Sequence, residues 1–276
     1  MDANSNPLIE SKTGAAREFV PSTDLIYQAV LNQIERLTPS AKRLKHLDIG
    51  AGSGLLLKKV RERFPVEQFA CDYSAAFMKH SNVPITRVDL DNEPLPYAES
   101  SFDLVTCVET IEHLENFRAL FREIYRILKP GGTLILTTPN ILNLRSRLRF
   151  LSFGFYNMFG PLHVERQKNF DTRGHISPAN WFYLGHSLLQ SGFVNLSVTM
   201  DRWQRRSVVP LILLYLPIRI IGAVSLARER RSHIASITSD NEGLVRDMNR
   251  IRFLLGRTLI VSATKADPII GQGAAN

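Results

Sequence analysis

The sequence predicts an α/β fold: a parallel sheet with helices on both faces. Three observations predict it. Strand and helix patterns alternate from residue 44 to 140. The first strand runs into a helix through "DIGAGSG", with Gly50, Gly52 and Gly54 on alternating positions. After an interruption a further helix and two strands follow, so the alternation resumes.

"STDLIYQAVLNQIERL" (22–37) has helical apolar spacing, with Ser22, Thr23 and Asp24 as candidate caps. "LKHLDIG" reads as a buried strand and "GLLLKKVRERF" as a helix ended by Pro65. "EQFACDYS" is the second strand, "AAFMKHS" a short helix and "ITRVDL" the third strand. "FDLVTCVET" is the fourth, followed by the amphipathic helix "NFRALFREIYRILK", which Pro130-Gly131-Gly132 should stop, and by the fifth strand "TLILTTPN". "SPANWFYLGHSLLQSGF" reads as a helix with Ser177 as N-cap, Pro178 at its first position and Gly192 near its end. "VNLSVTM" and "RTLIVSATK" are the last strands.

At 276 residues and 44% hydrophobic, the chain can bury one large core. The expected organisation is a flexible segment at 1–21, a single domain at 22–265 with insertions at 141–175 and 201–256, and a flexible tail at 266–276. Cys71 and Cys107 lie in strand runs, which excludes a disulfide scaffold and fits a reducing cytoplasm; the N-terminus lacks a signal-peptide pattern. The net charge of +8 is concentrated: residues 139–175 carry +4 and residues 201–256 carry +5. Concentrated basic charge points to an anionic partner.

A strand, a glycine turn and a helix make the nucleotide site of open α/β sheets, with backbone N–H groups facing the ligand. Leu55 occupies the place of a dinucleotide fingerprint's last glycine, and no Gly-Lys-Ser/Thr follows, so neither that fingerprint nor a P-loop fits. The pattern present is Asp48-x-Gly50-x-Gly52-x-Gly54. Asp72, at the second strand's end, is placed to accept from ribose hydroxyls, or to cap the next helix. Asp89, at the third strand's end, is placed for an adenine edge, with Leu90 beside the ring.

The pieces "LDIGAGSG", "CDYS", "VDLDNEPLPYAESSFDLVTCVETIEHLEN" and "EIYRILKPGGTLILTTPN" resemble the class I S-adenosylmethionine-dependent methyltransferases, most of all the ubiquinone-pathway-like group. The resemblance runs from about Leu44 to Asn140 and resumes at the last helix and strands. It implies a Rossmann-like seven-stranded sheet with an antiparallel last strand. It implies that Asp48, Gly50, Ala51, Gly52 and Gly54 border the methionine part of the cofactor S-adenosylmethionine. Asp72 with Tyr73 would border the ribose, Asp89 and Leu90 the adenine, and Cys107 to Glu109 the methyl-transfer end.

A sulfonium is an activated donor, so the enzyme's task is in-line positioning. For a hydroxyl acceptor, His113 is the candidate base. No residue is assigned to a metal. An alternative is that Glu109, Glu112 and His113, completed by His163 or His175, hold a divalent ion, as in metal-dependent relatives that the segment resembles.

"VVPLILLYLPIRIIGAVSLA" (208–227) carries Arg219 as its only charge and is long enough to span a bilayer. The strands on either side should pair in one sheet, which a single crossing forbids. A buried lid, a membrane-docking segment and a protein–protein face are the alternatives. The leading reading is methylation, at oxygen, of a small-molecule or lipid-linked acceptor, in the cytoplasm or peripheral at the inner membrane face. An RNA 2′-O-methyltransferase with a metal-assisted site is the runner-up. The aliphatic second insertion counts against nucleic acid. A non-catalytic cofactor-fold protein is a third reading, against which the intact glycine pattern and Asp72 stand.

Overall fold

A computed structural model describes residues 24–38, 43–164, 174–231 and 236–267. The expectations for residues 1–21, for most of the tail and for 165–173 of the first insertion lie outside these. The described strands form one seven-stranded sheet in the order β3-β2-β1-β4-β5-β7-β6. They are β1 (Leu44–Ile49), β2 (Val66–Asp72), β3 (Ile85–Arg87), β4 (Phe102–Val108), β5 (Leu128–Pro139), β6 (Phe193–Met200) and β7 (Thr258–Lys265). The first five pair in parallel, and β7 runs antiparallel to both β5 and β6. Every strand but β7 therefore points its carboxyl end at one edge.

Two apolar layers hold the sheet, and the two-residue strand period assigns side chains to them. Helices α1 (Asp24–Leu37) and α2 (Leu55–Arg63) pack on Leu104, Val108, Ile135 and Ile260. Val105, Cys107, Leu134, Leu136, Leu259 and Val261 face the other way, toward α3 (Phe117–Ile127) and Trp181, Leu184 and Leu188 of α5 (Trp181–Gln190). Helix α3 shows why sequence spacing predicted it. Leu120, Phe121, Ile124 and Ile127 form one buried stripe, and the Asn116 side chain caps it by accepting from the Ala119 N–H. Each buried apolar side chain there contributes about 1.5–3 kcal/mol.

Three local expectations are corrected. Pro130-Gly131-Gly132 does not end α3; the helix stops at Ile127 and β5 starts at once. The three residues form a bulge, across which pairing to β4 jumps from Phe102↔Leu128 to Leu104↔Thr133, with Gly131 at φ +73°. The segment after Asp72 is only a single 3-10 turn, Ala75–Phe77, capped by Ser74. Helix α5 is capped by Asn180, whose side chain accepts from the Tyr183 N–H. Ser177 instead donates to the Leu114 carbonyl, tying the segment before α5 to the post-β4 loop.

The first insertion opens with α4 (Leu144–Phe153). The second contains α6 (Val208–Arg230), α7 (Glu242–Asp247) and α8 (Ile251–Leu255). Helix α6 is one continuous element of 23 residues, running through Pro217, and none of its residues is buried. The buried lid is thereby corrected: the stripe Val209, Ile212, Leu213, Leu216, Ile220 and Val224 faces outward, between 55% and 74% exposed.

Candidate active site

Gly50, Gly52 and Gly54 have φ of +70°, +51° and +74°, a region that glycine alone enters without strain. A Cβ on Gly50 would lie 2.3 Å from Thr110 Oγ1, and one on Gly54 2.2 Å from Met78 Sδ. Gly50 is thus demanded by the protein's own packing, while at Gly54, where the flexible Met78 thioether could move aside, the left-handed backbone is the firmer constraint. The hairpin is pinned from β2 as well: the Gly50 and Ala51 N–H groups donate to the Cys71 carbonyl at 2.9 and 3.3 Å.

Asp72 belongs to the same unit. One carboxylate oxygen accepts from the Gly52 N–H at 2.9 Å and the other from the Ser74 N–H at 3.1 Å. The side chain is half-buried, so its carboxylate is oriented yet keeps an open side. Tyr73 is exposed, with the Arg87 guanidinium 5.5 Å from its ring centre. Asp89 follows β3 and turns both oxygens into its own loop, accepting from the Asp91 N–H and the Asn92 amide. Leu90 packs against the main core.

Asp48 is 2% exposed beneath the hairpin. Burial pushes its carboxyl up to about 7; the Thr106 hydrogen bond opposes the shift and the Asp72 charge adds to it. Thr106 Oγ1 donates to Asp48 at 2.6 Å and lies 2.8 Å from His46 Nε2. Burial lowers His46 to about 3. The imidazole is therefore neutral, and its Nε2–H donates to Thr106. This His46-Thr106-Asp48 row had no sequence signal, because it crosses from β1 to β4.

Cys107 lies within β4, not after it, and is fully buried in the core, where burial holds its thiol well above the usual value. Glu109 is half-buried and sits at φ +49°, a conformation that costs a residue with a Cβ about 1–3 kcal/mol. Its carboxyl, raised to about 7 by burial, accepts from Thr137 Oγ1 at 2.9 Å; the Arg257 charge lowers it and the Asp201 charge raises it.

His113 ends the 3-10 turn Ile111–His113, and its Nδ1 lies 3.1 Å from the Gly174 carbonyl. That bond makes Nε2 the basic nitrogen of the neutral ring. His175 packs edge-on at 4.8 Å between ring centres, and burial, with the His113 charge, lowers it to about 4. Glu112 is fully buried, accepts from Thr138 Oγ1, and has its other oxygen without a hydrogen bond. Burial first, then the Glu109 charge, raises it well above the carboxylate range. Ligating atoms of Glu112, His113 and His175 lie within 4.8 Å of one another, a carboxylate and two imidazoles able to share a divalent ion. Glu109 and His163, which the sequence had grouped with them, are not part of this cluster.

Reading from sequence missed Thr106, Thr110 and Thr137, which set the loops, and the pair Asp201 and Arg257 beside Glu109. Only strand pairing brings those positions together. The carboxyl edge thus carries a left-handed glycine hairpin braced by Cys71 and Asp72, a half-buried Asp72 carboxylate with an open side at the end of β2, and a histidine with a basic nitrogen past β4. This set fits a nucleoside with free hydroxyls.

Residues 47–136 match the family described as "Methyltransferase domain". The chain is 34% identical over 127 residues to a malonyl-[acyl-carrier protein] O-methyltransferase of Hahella chejuensis, covering 44% of each chain. It is 34% identical over 113 residues to a ubiquinone biosynthesis O-methyltransferase of Xanthomonas axonopodis, covering 38% of this chain and 46% of that protein. A longer match, 28% identical over 212 residues, covers 74% of this chain and 59% of a Danio rerio protein named arginine-hydroxylase NDUFAF5. The chain spans about half the length of the curated relatives it matches. Among solved structures, phosphoethanolamine N-methyltransferase 2 of Haemonchus contortus, with phosphomonomethylethanolamine and S-adenosylhomocysteine, shares the fold at TM-score 0.52 and 18% identity, over 87% of this chain and 53% of that one.

Proposed function

We propose that this chain, a relative of the S-adenosylmethionine-dependent methyltransferases through its domain at residues 47–136, methylates a small-molecule or lipid-linked acceptor, at oxygen. The observation that carries the cofactor half is the Asp72 carboxylate, held on the Gly52 amide at the carboxyl edge of β1 and β2. Bound S-adenosylmethionine supplies a methyl group activated on a sulfonium. The hairpin amides and Asp48 would border its methionine part, Asp72 with Tyr73 the ribose, and Asp89 with Leu90 the adenine. Glu109 and the backbone at Cys107 would border the reacting end. His113 would take the acceptor's hydroxyl proton at Nε2 as the oxygen–carbon bond forms and the carbon–sulfur bond breaks. Domain bounds of 22–265 follow from the same reading.

The acceptor half rests on α6. Its outward face is apolar, and arginines stand at both ends: Arg202, Arg205 and Arg206 before it, Arg228 and Arg230 in its last turn, and Arg231 just after. By length and composition it could cross a bilayer. However, β6 before it and β7 after it pair along one sheet. A helix lying in the headgroup plane satisfies both constraints, with its arginines on anionic lipid. The enzyme would then work from the cytoplasmic face, on an acceptor delivered from that surface.

A relative matched over 74% of this chain carries the name of a hydroxylase, which favours a second reading: a bound cofactor without methyl transfer. Incubating the purified chain and cell extract with S-adenosylmethionine labelled at the methyl carbon separates the readings. Label in a lipid or small organic fraction, lost in Asp72→Ala, is the expected result. Label in RNA overturns the acceptor assignment. Cofactor binding with no label transferred overturns methyl transfer.

A further inference from the structure

Five arginines from three separate stretches of the chain meet at the sheet edge beside Glu109. Arg145 comes from α4, Arg202 follows β6, Arg205 and Arg206 lie in the turn before α6, and Arg257 precedes β7; together they line a cavity of about 280 Å³. Like charges so gathered repel unless something compensates them. The compensation present is small. The buried Asp201 carboxylate stands 3.6 Å from Arg202 and 4.0 Å from Arg257. Among the described residues, Arg145, Arg205 and Arg206 make no ion pair.

The lining also holds unmet hydrogen-bonding groups. Arg257 Nη1 and both amide atoms of Gln204 are buried without hydrogen-bond partners. Buried polar atoms are seldom left so in a native fold, and here they belong to a cavity wall. The wall is built, not a chance of loose side chains. The Arg257 N–H donates to the Arg202 carbonyl, the Gln204 N–H to the Leu255 carbonyl, and the Asn140 N–H to the Arg257 carbonyl, which ties the end of β5 to the cavity.

Guanidinium groups pair with phosphate oxygens through two parallel hydrogen bonds, and several around one anion suit a multiply charged group better than a carboxylate. At about 280 Å³ the cavity lies just below the usual ligand-cleft range of roughly 300–1,000 Å³, the size for a headgroup. It has no aromatic lining on which bases of a nucleic acid could stack. Its neighbour in the chain is the apolar helix α6.

We propose that the cavity lined by Arg145, Arg202, Arg205, Arg206 and Arg257 binds a phosphate or diphosphate group of the methyl acceptor, fixing the acceptor beside Glu109. This rests on the methyltransferase reading for the word "acceptor"; the anion site itself does not.

Calorimetric titration of the full chain with inorganic pyrophosphate tests it, with S-adenosylhomocysteine titrated in parallel. Saturable pyrophosphate binding is expected, weakened about tenfold or more by Arg205→Gln with Arg206→Gln and by Arg257→Gln. Arg61→Gln, which removes from α2 the same single charge as Arg257→Gln, should change it less than about twofold, and the pocket variants should keep their S-adenosylhomocysteine affinity. No saturable binding, or equal loss in Arg61→Gln, overturns the site. Failure to bind S-adenosylhomocysteine alone sinks the methyltransferase reading and leaves the anion site standing. Glycerol 3-phosphate and phosphatidic acid in phosphatidylcholine vesicles then name the source. Pocket-dependent binding of the first indicates a soluble ester, and of the second a lipid headgroup; pocket-dependent binding of neither overturns the proposal.

Discussion

Asp72 and Gly52, twenty residues apart in the chain, are joined by a 2.9 Å hydrogen bond from the backbone amide to the carboxylate. The residue placed for the ribose therefore also holds the hairpin placed for the methionine. Removing it should damage both halves of the cofactor site at once. Asp72→Ala is expected to weaken S-adenosylhomocysteine binding roughly 10- to 100-fold, read by calorimetry, with the circular dichroism spectrum unchanged. Unaltered affinity in this variant removes the cofactor assignment.

Gly50 faces Thr110 across a gap with no room for a methyl group. Gly50→Ala should cost about 2–4 kcal/mol of stability from the clash and the left-handed backbone together. Thr110→Ala in the same chain should recover part of that loss in thermal denaturation, because it deletes the two nearest atoms. Strict additivity of the two substitutions would show that Thr110 is not the obstacle.

Asp48 gives a pH test with a definite sign. Its folded pKa of about 7 lies above the ordinary 3.8. Between those values the native state holds a proton that the unfolded state has lost, so this group's contribution to stability falls as pH rises from about 4 to 7 and is level above. Burial of His46 acts oppositely: its folded pKa of about 3 means stability is lost as pH falls below the ordinary 6.5. The wild-type profile mixes the two. The comparison with Asp48→Asn isolates the carboxyl: relative to the variant, wild type should lose up to about 4 kcal/mol between pH 4 and pH 7. A difference that is flat in urea titrations across that range rules out the buried-acid description.

Helix α6 should bind lipid through its outer stripe. Leu216→Glu with Ile220→Glu is expected to abolish co-sedimentation with phosphatidylglycerol-containing vesicles at low salt while leaving the thermal transition in place, since both side chains are more than half exposed. A wild-type chain that stays in the supernatant disposes of membrane docking.

Replacing His113 with alanine is expected to lower kcat by about 100-fold or more with little change in cofactor affinity, if the ring takes the acceptor's proton. Titration with Mn²⁺ distinguishes a ligand role. Binding that disappears in His175→Ala would assign the Glu112, His113 and His175 cluster to a metal.

Much of the architecture was legible because its causes are local. The α3 stripe, the buried strand runs and the glycine spacing each follow from side chains within a turn or a strand of one another, and β1, β2 and β4 stand where those patterns put them, whereas β3 stops at Arg87 and β5 starts five residues early, at Leu128. The errors were local too, where a second use competed for a residue. Pro130-Gly131-Gly132 is a stop signal by itself, but the sheet absorbs it as a bulge. Ser177 is a good cap, but the post-β4 loop claims its hydroxyl.

By itself, then, the amino-acid order determined the sheet's alternation, the glycine hairpin and the acidic residues at the strand ends. Only the tertiary structure decided which of these meet: that Thr110 and Met78 press on the glycines, that Glu112 joins His113 and His175 without Glu109, and that Arg145, Arg257 and the arginines of 202–206 line one cavity. The physical reason is separation along the chain. Periodicity and capping act over a few residues, whereas charge repulsion, burial and cavity shape depend on partners that strand pairing brings together from as far apart as Arg145 and Arg257.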